Sequence, residues 1–179
     1  MPESRTDALL MFGKMLARLL QMASALAGGI VLLLIPVVVL ASQGMVPALS
    51  GSNAIAASPL AVVAILAMLG LILAALFSFF GKLRAIIVSA GDGDPFTPGN
   101  ARRLTVMAWL FLAVKILVVL VAAVRLHVAN LIDAGRSGKE SLDFSLYDLD
   151  ALVIVVVLFV LARIFRHGAA MRDDLDGTV

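Results

Sequence analysis

Few side chains in this 179-residue chain are equipped for chemistry, and their spacing decides what each can do. Lys115 stands alone in an apolar run over residues 104–126, about eleven residues from either end, so a helix there carries it to mid-depth in a bilayer. An ammonium so placed costs about 2.5–3.5 kcal/mol on insertion scales. It can line a polar cavity that takes an anion or a lipid headgroup, meet a backbone carbonyl (that of Leu32 is one candidate), or snorkel. Asp150 is roughly 10 Å away along the membrane normal, and helical side chains lean toward their own N terminus, which carries Lys115 further from it. Arg125 with Asp148 or Asp150 makes a better ion pair, at the far end of the same two helices. His127 and His167 fall at opposite faces of the membrane, about 30 Å apart, so one haem iron cannot take both. With no cysteine, disulfides and zinc–thiolate sites are excluded, and no metal or cofactor is expected. No carboxylates, histidines or serines converge at one depth, so the chain does not read as an enzyme.

The segment GDGDPFTPGNARRL over residues 91–104 holds the other candidates. Its glycines lack P-loop spacing and no Gly-Lys-Ser/Thr follows, so a nucleotide phosphate has no cradle. Gly91 is expected to end one helix, Asp94-Pro95 to turn the chain, and Thr97 to cap the next helix with Pro98 at its first position. Arg102 and Arg103 then sit at the level of phosphate headgroups, beside an exposed Phe96 and Asn100. With Arg166 and Arg172 these form a candidate docking surface for a cytoplasmic partner or for lipid.

The elements that carry these groups follow from composition. Hydrophobic residues make up 62% of the chain and charged residues 15%, against roughly 45–50% and 25% in soluble domains. A globule of this size has too much surface to hide that apolar content from water. Residues 19–81 contain no Asp, Glu, Lys or Arg at all. A crossing helix needs about 20 residues, and turn-forming residues over 42–58 divide the uncharged stretch. The expected fold is therefore all-α and polytopic: four transmembrane helices in an antiparallel bundle, over about 22–41, 59–80, 104–126 and 146–165. A lead-in over 1–21 and a tail over 166–179 complete one membrane domain. Arg5, Lys14, Arg18, Lys82, Arg84, Arg102, Arg103, Arg163, Arg166 and Arg172 fall on one side, against Arg125, Arg136 and Lys139 on the other. Ten against three places both termini in the cytoplasm. The net charge of +2 gives no reason to expect direct nucleic-acid binding.

Finer features concern packing. The lead-in repeats Asp7, Lys14, Arg18 and Gln21 at helical spacing, which suits a helix lying in the headgroup layer or docking a partner. Pro36 removes a hydrogen bond inside span one and predicts a kink. Gly28 and Gly29 precede it. Ala67, Gly70, Ala74 and Ser78 form a ladder of small residues that admits a neighbouring helix in the bundle or in a homodimer. Residues 142–146 alternate as a short strand or an interfacial stretch would.

Two segments carry a family resemblance. GDPFTPGNARRL (93–104) is similar to the Pro-Phe-x-Pro-x-Asn-Ala-x-x-Leu loop of the bacterial membrane proteins catalogued as domain of unknown function 2975. LARIFRHGAAMRDDLDGTV (161–179) resembles their closing Phe-Arg-x-Gly, acidic stretch and Thr-Val end. Gly99 departs from the expected Glu, which removes an acidic group from the loop. The resemblance implies four membrane helices and no established activity. Members tend to be encoded beside a small helix-turn-helix regulator, which implies a role in regulation at the inner membrane. Two functions are thus in play. One is a non-enzymatic membrane partner of a cytosolic regulator that docks on the loop and tail. The alternative is a small transporter, channel or lipid-binding protein that uses Lys115.

Overall fold

A computed structural model of the chain describes the backbone of residues 3–49, 52–132 and 147–176 and the side chains of 8–49, 52–132 and 151–172. The element order is α1 (Glu3–Ser42), α2 (Asn53–Ala57), α3 (Pro59–Gly91), α4 (Pro98–Ile132) and α5 (Tyr147–Asp176). Four of them are long and apolar enough to cross a membrane, over Ala8–Ser42, Pro59–Gly91, Pro98–Ile132 and Ala151–Arg172. In the most apolar window of each, between 6% and 17% of residues are buried inside the protein. Leu, Ile, Val, Met and Phe instead cover the outward faces, Leu33, Leu71, Val153 and Val156 among them. In water that surface would be untenable; in hydrocarbon it is the expected one. The chain is an all-α, multi-pass integral membrane protein.

Helix ends follow local sequence. Ser58-Pro59 and Thr97-Pro98 open α3 and α4 alike: each hydroxyl accepts a backbone N–H three residues on, from Ala61 (3.3 Å) and Asn100 (3.2 Å). Proline at the first helical position loses nothing, since that N–H has no intrahelical partner. α1 and α3 also end alike. Met45 N–H bonds Leu40 O and Gly44 N–H bonds Ala41 O; Asp94 N–H bonds Ser89 O and Gly93 N–H bonds Ala90 O. This is the Schellman pattern, which requires a left-handed residue, and Gly44 (φ 77°) and Gly93 (φ 82°) supply it. α3 ends at Gly91, as the sequence reading expects, and the left-handed turn that follows is made by Gly93.

The chain forms two compact units. The first comprises Met1–Ala23, Ala75–Ala113 and Leu146–Val179. In it α1 and α3 run antiparallel: Gly13 faces Ile87, and a Cβ on Gly81 would stand 3.0 Å from Gln21 Nε2. Phe79 meets Phe111 of α4 at 6.4 Å, and Trp109 meets Phe159 of α5 edge-on at 5.6 Å. Val155, Ala162 and Ala169 on α5 are buried at seven-residue intervals, and Ala101, Leu104, Met107 and Ala108 bury one side of α4.

The second unit comprises Ser24–Ala74 and Val114–Ser145. Here Gly28 of α1 faces Leu73 Cβ at 3.7 Å, and Gly70 of α3 faces Val31 at 3.9 Å. Ser24, Val31 and Val38 are buried seven residues apart, the repeat of left-handed helix packing. Of the small-residue ladder, Gly70 alone is seen to receive a neighbouring side chain; Ala67, Ala74 and Ser78 are exposed.

The lead-in runs on into the first span: residues 3–42 are one helix, continuous through Pro36. Of its polar residues Arg18 is exposed, while two others turn toward α3. Lys14 reaches over Gly91 and Gln21 over Gly81, while Leu9, Phe12, Met15 and Leu19 are exposed. Gly13 and Ala17 explain the contact: they share the face of Lys14 and Gln21 and are small enough to let α3 approach. Residues 166–176 of the tail continue α5 as its last turns.

Candidate docking site at the α3–α4 loop

The first unit ends in a loop of six residues, 92–97, held from both sides. Asn100, in the first turn of α4, is fully buried. Its Nδ2 donates to Ser89 Oγ of α3 and to the carbonyl of Pro95, both at 2.9 Å. Its Oδ1 accepts from Arg103 Nη1 at 2.6 Å. Ser89 Oγ in turn donates to the carbonyl of Asp94 at 2.7 Å. Two loop carbonyls are therefore satisfied by side chains from the flanking helices, as buried carbonyls must be.

α5 closes the other side. The ring of Phe96 stacks at a tilt on Phe165, with centroids 5.1 Å apart. Gly168 makes room for the ring in this position, since a Cβ there would stand 2.9 Å from Phe96 Cδ1. Asp94 forms a salt bridge with Arg172 one turn further along. The two sequence segments that carry the family resemblance are thus in direct contact, about seventy residues apart in the chain.

Beside the loop lies an open groove of about 590 Å³, whose lining includes Arg84, Asp92, Asp94 and Arg103. Arg103 and Asp94 are oriented, one by Asn100 and the other by Arg172. Arginine and carboxylate groups fixed at the rim of a groove suit a partner that brings charge of both signs.

The sequence candidates separate accordingly. Phe96, Arg103 and Arg172 come together at the loop, and Arg102 is exposed on α4 next to it. Arg166 is exposed on α5, where it lines a different groove. Asn100 is not a docking residue: its side chain is sealed inside and bonded to the protein itself. Lys115 is half-buried on α4 in the second unit, and Arg125 is exposed there. The side chains of Asp148 and Asp150 lie outside the described residues, as does residue range 142–146. Sequence reading missed Ser89, Arg84 and Asp92. Nothing local marks Ser89, whose partner stands eleven residues away across the turn; Arg84 and Asp92 had a signal in their helical spacing of eight.

Residues 46–179 match the family described as Protein of unknown function (DUF2975). The chain belongs to that family. The matched stretch contains α3, α4, α5 and both contacting motifs, so the loop with its clamp lies wholly within the family region. No curated protein and no solved structure matches the chain.

Proposed function

We propose that this family member is a non-enzymatic regulatory protein of the cytoplasmic membrane. Its four helices anchor a docking surface on the cytoplasmic side, where a soluble regulator, of helix-turn-helix type, binds the α3–α4 loop and the end of α5. The observation that carries this reading is the convergence of loop and α5 through Phe96, Phe165, Gly168, Asp94 and Arg172. A connection between two membrane helices needs only to be short and polar. This one is instead bonded on both sides and presents oriented charges beside a groove.

A photo-crosslinker at Asp92, in the full-length protein in its native membrane, tests the reading. A soluble DNA-binding protein is expected to be captured, and its capture is expected to fall when Asp94→Arg breaks the clamp. The charge-swapped pair Asp94→Arg with Arg172→Asp is expected to restore it. If no soluble protein is captured, and deletion of residues 171–179 alters no transcript, the reading is wrong.

A further inference from the structure

α5 has a second working face. Phe165, Gly168 and Arg172 turn toward the loop. At 100° per residue the other side of the helix carries Val160, Arg163, Arg166, His167 and Ala170, with Ile164 at its edge. These six line an open groove of about 760 Å³, and among the described residues none of its lining is acidic. The groove begins where the uncharged run of residues 151–162 gives way to Arg163, one turn past the contact of Phe159 with Trp109. Tryptophan favours the level at which hydrocarbon meets headgroup. Val160 and Ile164, both about half-exposed, continue the apolar surface of the span into the groove, and the two guanidiniums and the imidazole follow.

An occupant must therefore be apolar at one end and anionic at the other. We propose that this groove binds the headgroup of an anionic phospholipid. Its phosphate sits among Arg163, Arg166 and His167, and an acyl chain lies along Val160 and Ile164. Arginine suits the task because its planar fork meets two phosphate oxygens at once. The site does not depend on the docking of a soluble partner at the loop, which uses the other side of the helix.

The test uses the full-length protein in mixed micelles with equimolar phosphatidylglycerol and phosphatidylethanolamine of matched chains, and native mass spectrometry reads the retained lipid. The wild type is expected to retain phosphatidylglycerol preferentially. The triple variant Arg163→Gln, Arg166→Gln, His167→Gln is expected to lose about tenfold of that preference. Arg125→Gln, exposed on α4 in the second unit, is expected to keep it. A variant with Arg163→Lys and Arg166→Lys is expected to keep most of it, which separates lost charge from lost fold. Three outcomes overturn the proposal: an unchanged preference in the triple variant, an equal loss in Arg125→Gln, or full displacement of the lipid by soluble glycerol phosphate. The last would make the groove a site for a free anion.

Discussion

At the scale of single residues, Asn100 and Gly168 do the most to define the loop. Every polar atom of the Asn100 side chain is bonded, to Ser89, Pro95 and Arg103, and no water reaches it. Asn100→Ala removes one partner each from the Ser89 hydroxyl, the Pro95 carbonyl and the Arg103 guanidinium, at a cost of about 1–3 kcal/mol. The melting temperature in detergent is expected to fall, with faster hydrogen exchange over residues 92–97. Arg102→Ala, one turn-position outward and exposed, is expected to change neither. Gly168 acts through absence of a side chain. A methyl group there cannot coexist with the present position of Phe96, and the ring, 43% exposed, has room to swing outward. Gly168→Val is therefore expected to separate Phe96 from Phe165 while the fold persists. A Trp at position 96 reports this as a red-shifted, more quenchable emission; an unchanged spectrum would rule the contact out as a clamp.

At the scale of elements, the helices are held by small residues on inward faces. Ala17 is the tightest point of α1 in the first unit, 2% exposed, with Gly13 and Gln21 set against α3 on either side. Ala17→Leu is expected to cost about 1–3 kcal/mol by overpacking. Leu19→Ala, two residues on and exposed, is expected to stay within about 0.5 kcal/mol; reversible unfolding in mixed micelles measures both. That contrast also shows what was legible beforehand. Span number and helix class follow from hydropathy, because backbone groups in hydrocarbon must bond internally. The Thr97-Pro98 start was legible because its chemistry is local. The inward face of α1 was not, since lipid and protein interior are equally apolar and hydropathy cannot say which side faces which. The end of α3 at Gly91 was legible, but the left-handed turn at Gly93 was not, because the bonds back to Ser89 and Ala90 decide it. Asn100 beside two arginines reads as a surface residue until its partners are known. Those partners, like Arg172 for Asp94, come from other elements and leave no local trace.

At the scale of the whole molecule, the decisive quantity is orientation, on which the proposed partner depends. On the sequence reading, the ten-to-three excess of Lys and Arg is expected to put the α3–α4 loop in the cytoplasm. The chain has no cysteine, so a single introduced thiol gives an unambiguous answer without removing any native group. Gln43, after α1, and Asp92, after α3, are both exposed, and in the sequence reading the first follows one crossing and the second follows two. A membrane-impermeant maleimide applied to intact cells is expected to label Gln43→Cys and to spare Asp92→Cys; in inside-out vesicles the pattern is expected to reverse. Labelling of Asp92→Cys in intact cells would invert the topology. The loop, its clamp by α5 and the basic groove would then face away from every cytosolic protein. The regulatory reading would fail, while the phospholipid site, which needs only the level of the headgroups, would survive in the other leaflet.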